Sequence, residues 1–156
     1  MTTTSEPYID THHVTVDVTP DQAWAVVSCL GGDDRLYTPG LLWKARGTLE
    51  RLVGGPGHRI VGPGRPLQPG DTMNFWRVEE VHAPTRLRLR ADSVLPGTAY
   101  LDVVVAPQGA RTDLELRTEF HPAGLRGHLF WWAELGAHLV VFELMTRRLA
   151  ALVRAG

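Results

Sequence analysis

The chain has 156 residues, with 16 Lys plus Arg against 17 Asp plus Glu, a formal net charge of -1 and one cysteine. A single domain of this length buries roughly 70% of the surface its unfolded chain exposes, and the balanced charge excludes nucleic acid and an anionic membrane as default partners. One cysteine excludes an intrachain disulfide, and Cys29, inside the apolar run AWAVVSCL, reads as a small buried hydrophobe.

Residues 1–7 are polar and are expected to be disordered, leaving 8–155 as one domain. The opening MTTTSEPYID has neither the basic nor the apolar region of a secretory signal, so a cytoplasmic location is expected. From Tyr8 to Val18, alternation predicts a half-buried strand with Val14, Val16 and Val18 on one face. Thr19 as N-cap, Pro20 at the first helical position and Asp21 in the first turn predict a helix that stops at Gly31-Gly32. A second helix is expected over LLWKARGTLERLV, ending at Gly54-Gly55. The Gly/Pro-rich stretch that follows is a flap or a packed loop, with a short strand at His58 to Val61.

Four strands are predicted next, over Thr72–His82, Arg86–Val94, Thr98–Ala106 and Arg111–Phe120, joined by short turns as consecutive antiparallel hairpins. Arg86, Arg88 and Arg90 share one face, as do Asp113, Glu115, Arg117 and Glu119, so these charges should pair across the solvated side of a sheet. The last thirty or so residues carry Trp131, Leu135, His138, Phe142, Met145 and Leu149 on one helical stripe. Such a helix is roughly 45 Å long and must lie across the sheet, with a cavity between the two. Glu134, His138 and Glu143 interrupt its apolar run, so no membrane span is expected.

This order of elements resembles the helix-grip fold of the SRPBCC superfamily (START, polyketide cyclase and birch-pollen-allergen proteins): an α+β curved antiparallel sheet around a long C-terminal helix, with two shorter helices between strands 1 and 2. The segments LLWKARGTLERLVGGPGHR, GDTMNFWRV, RLRLRADSVLPGTAYLDV and FHPAGLRGHLFWW are similar to a bacterial subfamily often attached C-terminally to an NAD(P)-binding epimerase-like domain. This chain departs from that pattern at Asn74, at Ile60-Val61, at Ser93-Val94-Leu95 and at Gly136-Ala137. Most of these changes remove charge, which implies a less charged ligand. The missing nucleotide-binding domain implies a free-standing relative, served at most by an NAD(P)-dependent reductase on a separate chain.

His138 is the candidate general acid or base, with Glu134 one turn earlier to orient it. The competing structural reading bonds the imidazole to a strand carbonyl, in a packing role. Asn74, Trp76, Ser93, Tyr100, Trp131, Phe142 and Met145 are expected to line the cavity, and Trp132, off the stripe, to pack on the early helices or form a homodimer face. His12 and His13 alternate faces of a strand, and the other histidines lack ligand spacing, so no metal is expected. The glycines after Val53 do not open a helix after a strand, which argues against a nucleotide cradle. Two functional readings stay open alongside a purely structural one. One is a cofactor-independent cyclase, dehydratase or isomerase acting on a polyketide-like or terpenoid-like molecule; the other is a module that binds or presents such a molecule.

Overall fold

The computed structural model describes residues 6–30, 65–73 and 76–156. Among them the order is β1 (Tyr8–Val16), α1 (Pro20–Val27), β2 (Thr72–Met73), β3 (Trp76–His82), β4 (Arg86–Ala91), β5 (Gly97–Gln108), β6 (Arg111–Pro122) and α2 (Gly124–Ala155). The expected second helix over 41–53 and the strand at 58–61 lie outside the described residues.

The strands form one open antiparallel sheet in the order β1-β6-β5-β4-β3-β2. Hairpins join β3 to β6 in sequence, whereas β1 crosses over to pair with β6, from Tyr8 opposite Phe120 to Val16 opposite Thr112. The helix α1 starts as its sequence dictates: Thr19 accepts the Gln22 N–H, and the Gln22 side chain closes a capping box on the Thr19 N–H. Asp71 closes a turn, accepting the Gln68 N–H at 2.8 Å and a bidentate pair from Arg65.

The period of two divides each strand between faces. Leu87 and Leu89, Leu101, Val103 and Val105, and Leu114 and Leu116 enter the core with Val16, Val27, Met73 and Val78. The opposite face carries the expected ion pairs: Arg88 meets Asp102 at 2.7 Å and Glu119 at 3.7 Å, and Arg117 meets Asp102 at 3.8 Å. Desolvation pushes the Asp102 carboxyl above its ordinary range, against the pull of Arg88.

The helix α2 packs chiefly on β6 and β1. Its buried side is the predicted stripe, with Gly127, Trp131, Phe142, Met145, Thr146, Leu149, Ala150 and Val153. Its other side exposes Leu125, Leu129, Trp132, Leu139, Val140 and Leu144.

Two expectations are corrected. Cys29 is exposed, because α1 ends before it and the chain turns its side chain outward between buried Ser28 and Leu30. By length and composition alone, the helix α2 is also apolar enough to cross a membrane, as a helix packed in a protein core can be. Its interrupting charges are too few to offset its apolar residues, and the stripe they border packs on the sheet.

Candidate active site

The site grows from the rungs that β1 and β6 build beneath α2. Tyr8, Asp10 and His12 share the inner face of β1 with Val14 and Val16, because residues two apart point the same way. Across the ladder they stand opposite Phe120, Thr118 and Leu116. One strand step of two residues advances about 6.8 Å, and five residues of helix advance about 7.5 Å, so His138 and Glu143 fall near successive rungs, those of Asp10 and His12. Trp131 stacks on Tyr8 at 4.9 Å and on Phe120 at 5.9 Å between ring centroids. His138 settles over the Asp10/Thr118 rung, and Glu143 reaches His12.

His138 Nε2 lies 3.1 Å from Thr118 Oγ1 and 3.3 Å from Asp10 Oδ2. Thr118 donates its hydroxyl proton to the Asp10 carbonyl, so toward His138 it accepts. A carboxylate oxygen can only accept, so the proton of the neutral imidazole is assigned to Nε2. Nδ1 is then the basic nitrogen, and it has no hydrogen-bond partner among the described residues. The ring is held between Trp131 at 4.9 Å and Phe142 at 4.4 Å, with 14% of the side chain exposed. Burial holds its proton affinity below the ordinary histidine range, against the opposing pull of Asp10. Burial thus favours the uncharged ring, which is held at Nε2 and has no hydrogen-bond partner at Nδ1 among the described residues.

Asp10 Oδ2 also accepts from His12 Nε2 at 2.8 Å, and His12 Nδ1 faces Glu143 Oε2 at 3.3 Å. Arg147, and next His12, hold the Glu143 carboxyl below its ordinary range.

The sequence-predicted residues are thus partly gathered. His138, Trp131 and Phe142 meet, while Met145 is fully buried one turn further on. The carboxylate against His138 is that of Asp10, from the first strand, and not the expected one of Glu134 on its own helix. Trp76 is buried at the start of β3, in the same core cluster. Tyr100, expected to border the interior, is on the opposite face: its strand neighbour Leu101 takes the core position, and Tyr100 stacks under Arg88 at 4.3 Å and against His121. Ser93 lies between β4 and β5 with its hydroxyl buried and without a hydrogen-bond partner among the described residues. Asn74 lies outside the described residues. Asp10, His12 and Thr118 were missed, although counting back in twos from Val16 and Val14 leads to His12 and Asp10. No set of three or more His, Cys, Asp or Glu among the described residues is arranged to hold a metal ion.

The sequence profile of "Protein of unknown function (DUF2867)" matches residues 3–145. The chain belongs to the DUF2867 family. No curated protein matches it in sequence. Its fold is similar to norcoclaurine synthase from Thalictrum flavum in complex with dopamine and hydroxybenzaldehyde, with a TM-score of 0.58, 15% identity and coverage of 97% of this chain and 89% of that one. A protein from Arthrobacter aurescens solved by NMR is similar at a TM-score of 0.58 and 15% identity, covering 95% of this chain and 87% of that one. Ara h 8.0201 is similar at a TM-score of 0.51 and 9% identity, covering 96% and 99%. These likenesses show the helix-grip fold for the DUF2867 domain.

Proposed function

We propose that this DUF2867 domain binds a hydrophobic small molecule between α2 and the sheet, and acts on it without a cofactor through His138. The observation that carries this reading is the imidazole itself, tied at Nε2 to Thr118 and Asp10, without a partner at Nδ1 among the described residues, and flanked by two aromatic rings. Such an arrangement suits proton abstraction from a carbon or hydroxyl in a cyclisation, dehydration or isomerisation. Nδ1 takes the proton, and the Asp10 carboxylate stabilises the imidazolium that forms. Trp131 and Phe142 offer flat walls to an apolar ring system, and the buried Ser93 hydroxyl offers a polar anchor. The similar fold crystallised with dopamine and hydroxybenzaldehyde supports a small aromatic or polyketide-like ligand, by analogy of fold alone.

A second reading, a binding or presenting module, is favoured by the aromatic walls without needing chemistry at His138. Native mass spectrometry on protein purified from its own host identifies a retained ligand, and the same ligand incubated with the wild type and with His138→Ala separates the readings. The enzyme reading expects binding in both and product only with the wild type; equal product in both removes the role of His138. Failure to retain any molecule, together with failure to bind an apolar dye such as anilinonaphthalene sulfonate, would refute both readings. The exposed apolar side of α2 around Trp132 is, in this proposal, the surface for a second copy of the chain.

A further inference from the structure

We infer that His12 is a second proton-handling residue of this site: it shares Asp10 with His138 and exchanges its own proton with solvent through Glu143. The inference rests on the proposed role of His138 and extends it to how charge is balanced when His138 works. Asp10 Oδ2 stands at 2.8 Å from His12 Nε2 and 3.3 Å from His138 Nε2, so a single carboxylate oxygen serves two imidazoles. His12 has a carboxylate oxygen at each ring nitrogen, and both nitrogens can donate only when the ring is protonated. His138 has carboxylate at one nitrogen only, and its neutral form already satisfies that contact.

The resting cluster therefore holds its extra proton on His12. Two cationic imidazoles on one carboxylate repel each other, so a second proton binds more weakly while the first remains. When His138 Nδ1 takes a proton from a ligand, the new N–H bond is matched by rupture of the His12 Nδ1–H bond. That proton passes to Glu143 Oε2 and on to water. His12 and Asp10 keep their Nε2–H···Oδ2 contact throughout, and the charge of the cluster is unchanged. Return of the proton to product reverses each step. The exposures fit the direction of travel: 14% for the side chains of His138 and His12, but 46% for Glu143. A proton leaving the interior thus needs no water beside the reacting ligand.

The groups that bear on His138 are Asp10 and His12 from β1, Thr118 from β6, and Glu143 with Arg147 on α2. Titration of the 15N-labelled full chain by imidazole NMR tests the inference without any ligand. His12→Gln keeps a donor toward Asp10 and removes the competing cation, and should strengthen proton binding at His138 by about threefold or more. Glu143→Gln supplies the discriminating sign. Loss of a nearby anion acting directly on His138 weakens its proton binding, whereas the same loss acting through His12 releases that proton earlier and strengthens it. The inference expects strengthening in both variants and no change with His13→Gln, whose side chain meets Asp113 on the outer face. Weakened or unchanged proton binding at His138 in Glu143→Gln would overturn it, and because Glu143 is on the surface of the helix that variant folds even if His12→Gln does not. Coupling in a chain that retains no molecule and binds no apolar dye would sink the proposed function and leave the coupling standing; ligand binding without coupling does the reverse.

Discussion

Asp10→Asn separates the charge of the Asp10 carboxylate from its shape. In the wild type Oδ2 accepts from two imidazoles, at 2.8 and 3.3 Å, with 22% of the side chain exposed. At pH 8, with imidazoles neutral in the unfolded chain, the carboxylate acts as an ordinary acceptor, a role worth roughly 0.5–1.5 kcal/mol that an amide oxygen can partly keep. At pH 5.5 histidines in the unfolded chain are protonated, and contacts to a charged partner are worth roughly 1.5–3 kcal/mol. His138 adds to this in the same direction. Burial lowers its proton affinity in the folded state, so the unfolded chain binds more protons below about pH 6.5 and stability falls as the pH drops through that value. Asp10 opposes that lowering, and the amide removes the opposition. The variant should therefore lose about 1 kcal/mol at pH 8 and about 2–3 kcal/mol at pH 5.5 relative to the wild type. Urea unfolding at the two pH values, monitored by far-UV circular dichroism, gives both differences. A loss that is equal at the two pH values, or larger at pH 8, would refute the assignment of Asp10 as the shared charge partner of the two histidines.

Gly127 tests the seat of α2. A Cβ at that position would lie 2.5 Å from the Pro96 carbonyl oxygen and 2.7 Å from Pro122 Cα, both backbone atoms that cannot rotate away. Gly127→Ala should thus cost about 1–3 kcal/mol in a urea melt despite the better helix propensity of alanine, and a neutral or stabilised variant would show that the helix start is free to shift. Trp132 is 64% exposed and within the chain meets the Tyr8 ring edge-on at 6.1 Å. If the outer side of α2 joins two copies, Trp132→Lys should leave stability within about 0.5 kcal/mol while weakening self-association severalfold in sedimentation equilibrium. A wild type that stays monomeric across the concentration range removes the dimer.

Much of the architecture was written in local pattern. The Thr19-Pro20 cap, the alternation in RLRLRA and TDLELRTEF, and the stripe from Trp131 to Leu149 each depend on residues close in sequence, so element type and buried face follow from periods of two and 3.6. The arginine face of β4 needed only the knowledge that its neighbours in the sheet carry acids. Residue type likewise singled out His138, a titratable group on an otherwise apolar stripe.

Its partners were another matter. Glu134 was the natural choice within one helix, because neighbours at i and i+4 are all that a linear reading can bring together. Asp10 and His12 come instead from the other end of the chain, delivered by the crossover that lays β1 beside β6 and beneath α2. Tyr100 shows the same limit at the scale of one residue, since a strand's register decides which of two alternating sets meets the core, and only the pairing of Leu89 with Leu101 settles it. The sequence alone determined the elements seen among the described residues and the histidine; the tertiary structure decided which carboxylate stands against that histidine and which of its nitrogens is held, because both depend on strand pairings that close across the length of the chain.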